Sequence, residues 1–297
     1  MKIITNHTFY LLAPLFNYKF KPMILKNIRI FLVVASFCLL ASCKEGCLDP
    51  TATNYNPNAK KSNDELCQYD SSLKTPLTLE VFHLFNGNNF SLDSIYYDDF
   101  GTMIKFNRAK TYVSKNCFFN SNNSCIDDTL KYLLFDPSVS NYFIGYLKKE
   151  LNNISVEFQV GVDSVSNHTD PASYQSDEPL SYQTPSMHWQ MGSSPMDWSY
   201  LFVVVEGLAD LNSNGTFDPG EIFVFHIGGD NFRSNPKNIS CDVSEFSNES
   251  KIKVNLDWSK IIEDIDIKNE NFTHTMDNIP LATKIANNSN NFISEYQ

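Results

Sequence analysis

The stretch NISVEFQVGVD, residues 153–163, decides the fold class, because every second residue in it is apolar. In an extended chain these residues share one face, which is the pattern of a β-strand with one buried side. The apolar positions are Ile154, Val156, Phe158, Val160 and Val162. Similar short runs occur along the chain and are separated by turn-forming residues. They are LTLEVFHLF (77–85), MIKFNRAKTYV (103–113), KYLLFD (131–136), YLFVVVEG (200–207), EIFVFHIGG (221–229) and KIKVNLDW (251–258).

These runs predict an all-β fold, an antiparallel β-sandwich. The β-branched run from Val203 to Val205 indicates a strand buried on one or both faces. Helical periodicity is confined to the end of the chain, in IPLATKIANNSNNFISEY (279–296), where Leu281, Ile285 and Phe292 share a helical face. We therefore expect one short C-terminal helix.

The N-terminal region has the pattern of a lipoprotein signal peptide. Met23 is followed by Lys26 and Arg29, then by the apolar residues 30–40 and the small-residue box Leu-Ala-Ser-Cys ending at Cys43. The apolar run is too short for a transmembrane helix, which needs about 20 residues. We expect residues 1–22 to be an over-called start, residues 23–42 to be cleaved, and Cys43 to carry lipid. The alternative is an ordinary signal peptide with an incidental cysteine.

Lipidation of Cys43 predicts a cell-envelope lipoprotein held on a membrane, at the outer membrane, on its periplasmic face or at the cell surface. The chain has a formal net charge of -11, with 23 basic and 34 acidic residues. Binding to nucleic acid needs clustered Lys and Arg that displace phosphate counterions, so this composition excludes nucleic acid as a partner.

Two local disulfides are expected from the cysteine spacing in an exported protein. Cys47 pairs with Cys67 and Cys117 with Cys125 in this prediction, and Cys241 is left over. Because spacing does not determine connectivity, other pairings stay open.

Residues 43–73 form a separate module that resembles a short Cys-bracketed repeat of secreted bacterial proteins. We interpret it as a disulfide-linked spacer before the main domain, residues 74–297. Calcium binding by its acidic and amide side chains, including Asp49 and Asp64, is the alternative.

The segment DLNSNGTFDPGE, residues 210–221, has the spacing of an EF-hand calcium loop. Calcium prefers six to eight oxygen ligands, and a glycine at the sixth position, here Gly215, permits the sharp turn. Strand-like runs flank the loop, so we expect a calcium site with a structural role in a β connection. The expected ligands are Asp210, Asn212, Asn214, Asp218 and Glu221 through side chains and Thr216 through its backbone carbonyl.

Several chain segments together resemble the MbnP-like family of copper-binding proteins, from Thr75 to Phe292. The matching segments, in order, are FHLFNG (82–87), IKFNRAKTYVSK (104–115), KYLLFD (131–136), VEFQVGVDSVSN (156–167), MHW (187–189), YLFVVVEG (200–207) and FVFHIGG (223–229). The resemblance implies a copper-binding protein of the periplasm or cell surface. It also implies that histidines, and a tryptophan oxidised to kynurenine by a partner di-haem enzyme, are associated with the copper.

Carried onto this chain, the resemblance implies copper ligation at His188, Trp189 and His226, with His83 and His274 as weaker candidates. His168 matches no family position. The segment between Trp189 and Tyr200 is longer than usual and contains Trp198, which leaves open which tryptophan is modified.

Side-chain chemistry supports copper independently, since imidazole binds both oxidation states of copper and thioether binds Cu(I). His188 stands close in sequence to Met187, Met191 and Met196. The alternative is that the histidines are packed residues of the sheet.

The chain is not expected to be an enzyme, because it lacks GxSxG, HExxH, phosphate-loop and CxxC motifs. A calcium-stabilised surface adhesion or ligand-binding module, without copper, is the second functional hypothesis.

Overall fold

The computed structural model describes residues 45–48, 52–63, 66–68, 75–92, 94–127, 129–147, 153–246 and 249–296. The expected over-called start (1–22), the signal peptide (23–42) and Cys43 lie outside these residues, as do Asp49 and Asp64. The chain divides into two compact units, residues 1–70 and residues 71–297. Within the described part, no helix has the length and apolar character needed to span a bilayer.

The first unit is held by one disulfide and a short strand pair. Strands β1 (Glu45–Gly46) and β2 (Lys61–Ser62) pair in parallel. Cys47 is bonded to Cys67, as expected from the spacing. The disulfide closes a small segment that has little apolar core of its own, which is the usual role of such bonds in small exported modules.

The second unit contains sixteen strands in the described residues. They are β3 (Thr75–Phe85), β4 (Asn88–Asn89), β5 (Tyr96–Tyr97), β6 (Met103–Phe119), β7 (Cys125–Asp127), β8 (Lys131–Phe135), β9 (Asn141–Leu147), β10 (Asn153–Val160), β11 (His188–Gln190), β12 (Trp198–Ala209), β13 (Ile222–Gly228), β14 (Lys237–Asp242), β15 (Ser244–Phe246), β16 (Glu249–Asp257), β17 (Phe272–Thr273) and β18 (Ile293–Glu295).

Two α-helices are described in this unit, α1 (Ser164–Asn167) and α2 (Ile279–Asn288). Helix α2 begins after Asn278, whose side chain accepts a hydrogen bond from Leu281 N. Its buried residues include Leu281 and Ile285, as the periodicity predicted. Five single-turn 3₁₀ helices complete the described elements: Pro171–Ser173, Pro195–Asp197, Asp230–Phe232, Trp258–Ile262 and Ser289–Asn291.

The strands form two sheets that share one hydrophobic core. The larger sheet has the order β14-β10-β6-β12-β13-β17; in addition, β5, β7 and β8 pair with β6, and β11 pairs with β12. The smaller has the order β15-β16-β3-β4, with β18 on β16 and β9 on β3. Residues of both sheets, such as Leu79 on β3 and Phe106 on β6, belong to the same buried cluster. The all-β sandwich with one short C-terminal helix is confirmed.

A second, smaller cluster lies on the other face of the large sheet. Along β12, Val203 and Val205 belong to the main core, while Phe202 and Val204 belong to the second cluster. Alternate side chains of one strand point to opposite faces, so β12 is buried on both sides, as its continuous β-branched run predicted. Leu180 and Met187, from the long segment between β10 and β12, cover this outer face.

Two details differ from the expected arrangement. The sheets are mixed, because β16 runs parallel to β3 from Ser250 to Asp257, and β17 runs parallel to β13. Helix α2 also ends before Phe292, which follows a 3₁₀ turn and is buried without being helical. Both differences follow from long-range packing that a local pattern does not contain.

The larger sheet contains the expected second disulfide and the leftover cysteine. Cys117 on β6 is bonded to Cys125 on β7. Cys241 on β14 is a free, buried thiol, and burial raises its pKa to about 12. A thiol with this pKa is protonated at neutral pH and unreactive.

Candidate functional site

Strand β11 brings His188 and Trp189 onto the outer face of the large sheet. It pairs antiparallel with the beginning of β12, with His188 opposite Tyr200 and Trp189 opposite Ser199. The rings of His188 and Tyr200 lie 4.8 Å apart between centroids in an edge-to-face arrangement. Ser186 Oγ accepts a hydrogen bond from His188 N and donates one to His188 O. Backbone and ring of His188 are therefore held in place before any ligand is bound.

The Nε2 atom of His188 is fully buried and has no hydrogen-bond partner among the described residues. Burial lowers the pKa of His188 to about 4, so the imidazole is neutral at pH 7. A buried polar atom without a partner costs about 1–3 kcal/mol. An enclosed ligand at this nitrogen would restore the missing interaction.

A second histidine, His226 on β13, is held by a carboxylate on the neighbouring strand. His226 Nε2 lies 2.7 Å from Glu206 Oε1, and Arg108 Nη1 on β6 donates to the same oxygen at 2.9 Å. The hydrogen bond from His226, together with the charge of Arg108, holds the pKa of Glu206 below its ordinary value. An ionised carboxylate only accepts, so His226 Nε2 carries the proton and Nδ1 keeps its lone pair.

Arg108 also connects this cluster to the segment that precedes His188. Its Nη2 donates to Ser186 O at 2.8 Å and to Pro185 O at 3.2 Å. The guanidinium has five donors in one plane, which allows it to bridge a carboxylate and two carbonyls at once. One arginine therefore contributes to the placement of both His188 and His226.

His274 follows β17 and lies beside His226. The two imidazole centroids are 4.8 Å apart, with planes tilted by 31°. His274 Nδ1 lies 3.3 Å from Asp277 Oδ2. This acidic neighbour favours the proton on Nδ1 and leaves Nε2 as the nitrogen with a free lone pair.

A fourth histidine, His168, lies just after helix α1. Its Nδ1 is 2.8 Å from Trp198 O and its Nε2 is 3.2 Å from Asp230 Oδ2. Burial alone would raise the pKa of Asp230, but hydrogen bonds from Ser164, Asn167 and His168 lower it below its ordinary value. Both ring nitrogens of His168 are engaged, so it helps to build the wall of the site.

These four histidines line one pocket of about 870 Å³, named here the histidine pocket. Two tryptophans, three methionines and three aspartates line it as well. The side chains relevant to chemistry are His168, His188, Trp189, Met191, Met196, Asp197, Trp198, His226, Asp230, His274, Met276 and Asp277. Residues far apart in sequence therefore present nitrogen, sulfur and aromatic groups to one pocket that is open to solvent.

Four of the five residues that the family resemblance marked for copper, namely His188, Trp189, His226 and His274, line this pocket. His83 does not. It lies on β3 of the smaller sheet, where its Nδ1 accepts a hydrogen bond from Trp258 Nε1 at 3.1 Å and its Nε2 is 3.0 Å from Val139 O. With both nitrogens engaged, His83 holds β3 against its surroundings and offers no lone pair to a metal.

His168 lines the pocket although the sequence analysis assigned it no role. Its partners Trp198 and Asp230 are 30 and 62 residues away in the chain. No local pattern could connect them, and only the fold reveals the position of His168.

Within the described part of the chain, no three His, Cys, Asp or Glu side chains converge as a ready-made metal group. Two histidine nitrogens with free lone pairs, one buried histidine nitrogen without a partner, and nearby thioethers nevertheless make a donor set suited to copper. The histidine pocket therefore fits copper by the chemistry of its donors.

The loop 210–221 connects β12 to β13, as expected, and is closed on itself by hydrogen bonds. Asp210 is buried, and its two carboxylate oxygens accept from Asn214 N at 3.0 Å and from Gly215 N at 2.8 Å. Gly215 has φ +83°, a conformation that favours glycine and produces the sharp turn. Glu221 accepts from Asn212 N at 3.0 Å and from Asp218 N at 2.9 Å.

The charges of this loop lack cationic partners. None of the ion pairs in the described residues involves Asp210, Asp218 or Glu221. Three carboxylates in one short loop repel one another unless a cation lies between them. The loop therefore fits a hard divalent cation.

Comparison with known proteins identifies relatives of the second unit. The family model described as MbnP matches residues 74–277, a range that contains the histidine pocket and the loop 210–221. Among solved structures, the chain is similar to MbnP from Methylosinus trichosporium, with 12% sequence identity, a TM-score of 0.38, and coverage of 63% of this chain and 77% of that chain. No curated protein matches the chain.

Proposed function

Because this chain belongs to the MbnP family, we propose that it binds copper in the histidine pocket and captures or handles that metal at the cell envelope. His188 and His226 would hold the ion, with His274 beside His226. The observation that carries the proposal is His188 Nε2, a buried nitrogen without a partner in the wall of a pocket with three further histidines. Copper supplies the missing interaction there, and imidazole suits both of its common oxidation states.

The surrounding residues would prepare the two main ligands. Glu206 holds the proton on His226 Nε2, so that Nδ1 is the nitrogen offered to metal. Tyr200 and Ser186 hold His188. A fixed tautomer and ring orientation raise metal affinity, because less freedom is lost when the metal binds.

An anaerobic Cu(I) titration of the purified chain against a competing chelator tests this assignment. We expect tight one-to-one binding by the wild type and its loss in a His188→Ala, His226→Ala double variant. His83→Asn, which removes a histidine outside the pocket, is the matched control and should bind copper like the wild type. Equal Cu(I) affinity of the wild type and the double variant would contradict the proposal. The second hypothesis, a surface adhesion or ligand-binding module without copper, would then be favoured.

A tryptophan of the pocket would be the target of the partner di-haem enzyme that the family resemblance implies. Both Trp189 and Trp198 line the pocket. Trp198 is held by a hydrogen bond from its Nε1 to Gly192 O at 2.9 Å. Trp189 is held by packing, because its ring lies so close to Gly228 that a Cβ atom added there would be 3.2 Å from it. Peptide mass mapping after co-expression with such an enzyme would show whether either residue becomes kynurenine, and which one.

The second part of the proposal is a structural calcium site in the loop 210–221. The carboxylates of Asp210, Asp218 and Glu221 would hold the ion together with Asn212, Asn214 and the carbonyl of Thr216. The loop connects β12, which carries Glu206, to β13, which carries His226. Calcium would therefore stabilise the connection between two strands of the histidine pocket.

The third part is the membrane anchor at Cys43, which would place the pocket at the envelope. Replacement of Cys43 by Ser should abolish lipid labelling and release the protein from the membrane fraction. Retention of a labelled, membrane-bound Cys43→Ser protein would exclude the anchor.

A further inference from the structure

Three methionines at the edge of the histidine pocket are unusually exposed. Met191 is 81%, Met196 70% and Met276 69% exposed, although methionine is ordinarily a buried residue. All three line the same pocket as His188 and His226, and we name them the methionine rim. Such side chains add little to the core, so their placement calls for another explanation.

Met191 and Met196 lie on an ordered hairpin tip between β11 and β12. Met191 N donates to Asp197 O at 3.1 Å, and Trp198 Nε1 donates to Gly192 O at 2.9 Å. Ser194 Oγ accepts from Met196 N at 3.3 Å. These bonds close the tip on itself, so the two thioethers are presented from a defined backbone.

Met276 comes from the other side of the pocket, on a strained turn. Thr275 has φ +57°, a left-handed conformation that is costly for a β-branched residue. Its hydroxyl donates to His226 O at 2.8 Å and accepts from Gly228 N at 3.0 Å. Strand β13 therefore holds the turn in this conformation, and the turn places both His274 and Met276 in the pocket lining.

The chemistry of the rim matches a soft monovalent cation. Thioether sulfur is uncharged and prefers Cu(I) over hard divalent ions. Two indole rings, of Trp189 and Trp198, line the same pocket and attract cations through their faces. Asp197 and Asp277 also line it and add negative charge that draws cations toward the opening.

We propose that Met191, Met196 and Met276 form an outer binding site for a soft monovalent cation, separate from the histidines, at which Cu(I) first binds before it reaches them. The identity of the ion rests on the proposed copper function. The existence of the outer site rests on the rim itself and is tested separately with Ag(I), which has the same charge and the same preference for sulfur.

The test is a methyl NMR titration of the full chain, labelled at methionine methyl groups, with Ag(I). Single Met→Leu variants assign the signals, and the β6 residue Met103, which is not among the residues lining the histidine pocket, is the internal control. The same titration is run on the His188→Ala, His226→Ala variant. Only methionine methyl groups are observed, so silver bound by cysteine thiols does not contribute to the measured shifts.

We expect the three rim methyl signals to shift together with one midpoint, in the wild type and in the histidine variant, while that of Met103 stays in place. Replacement of all three rim residues by Leu, which preserves apolar volume, should weaken Ag(I) binding about tenfold or more.

Unshifted rim signals, or three separate midpoints, would overturn the outer site and indicate an apolar contact surface for another protein. Rim shifts in the wild type that vanish in the histidine variant would show a single mixed site and also overturn it. Failure of the proposed copper function differs from failure of the outer site. In the first case, Cu(I) affinity would be the same in the wild type and the histidine variant, while the rim signals would still respond to Ag(I).

Discussion

His226 Nε2 and Glu206 Oε1 lie 2.7 Å apart on the adjacent strands β13 and β12. This contact places the imidazole proton on one nitrogen and leaves the other for a metal. Because Arg108 binds the same carboxylate oxygen, the arrangement forms when three strands of the large sheet pair in the correct register.

Glu206→Gln should lower Cu(I) affinity by about 10- to 100-fold, the usual effect of losing an outer-shell carboxylate. The amide is neutral, so the ion pair with Arg108 and the charge-assisted hydrogen bond from His226 are lost, and the orientation of His226 is less well fixed. Competition titration measures the affinity. Glu157→Gln on β10, whose carboxylate bonds Asn116 outside the pocket, is the matched control and should leave affinity unchanged.

Calcium should raise the melting temperature of the chain, and Asp210→Ala should abolish that rise. A ligand at one hundred times its Kd stabilises the folded state by about 2.7 kcal/mol. Differential scanning calorimetry with and without millimolar calcium provides the measurement. Asp177→Ala, an exposed aspartate outside the loop, should respond to calcium like the wild type, and an equal rise in Asp210→Ala would refute the site.

Stability should fall as the pH drops below about 6.5, in part because of His83. Burial lowers the pKa of His83 in the folded chain below its ordinary value of 6.5, so the unfolded chain takes up the proton first. The contribution of neutral His83 to the free energy of unfolding is therefore fully present above pH 6.5. It is lost as the pH falls toward the pKa of His83 in the folded chain. The melting temperature of His83→Gln should depend less on pH between 7 and 5; an identical dependence would count against this account.

Phe106→Ala should cost about 3–5 kcal/mol of unfolding free energy. Phe106 is completely buried and packs at the centre of an aromatic cluster in the main core. Its ring neighbours are Phe85, Phe90, Tyr96 and Phe223. Urea unfolding measures the loss. Phe100→Ala, at a nearby residue that is 59% exposed, should change stability by no more than about 0.5 kcal/mol.

Alkylation should reach Cys241 only after the chain unfolds. The thiol is buried and its pKa is raised to about 12 by burial, so little thiolate is present to react. Peptide mapping of native and denatured samples checks this, together with the linked peptides of Cys47–Cys67 and Cys117–Cys125. Rapid labelling of Cys241 in the native chain would be inconsistent with the structure.

The sequence predicted the features that depend on neighbouring residues. Alternation at Ile154, Val156 and Phe158 indicated a half-buried strand, and the run Val203–Val205 indicated a strand buried on one or both faces. Gly215 at the sixth loop position indicated a turn that needs left-handed backbone. The pairing of nearby cysteines also followed from spacing. Each of these signals is local, because strand periodicity, turn conformation and short loop closure are properties of a few consecutive residues.

The family resemblance marked His188, Trp189, His226 and His274 but also His83, and these residues cannot be distinguished by local pattern. His83 and His226, for example, both stand in long alternating strands. His83 is engaged at both nitrogens by Trp258 and Val139, whereas His188 Nε2 has no partner among the described residues. That difference depends on what surrounds each ring in three dimensions.

By itself, the sequence determined an all-β sandwich, a C-terminal helix and a loop with calcium-ligand spacing, and it favoured two local disulfides without fixing their connectivity. Only the tertiary structure decided the parallel pairing of β3 with β16, the gathering of four histidines and three exposed methionines around one pocket, and the role of His168. The physical reason is distance along the chain: these contacts join segments separated by tens to more than a hundred residues. Sheet register and burial bring such segments together, and no short stretch of sequence carries that information.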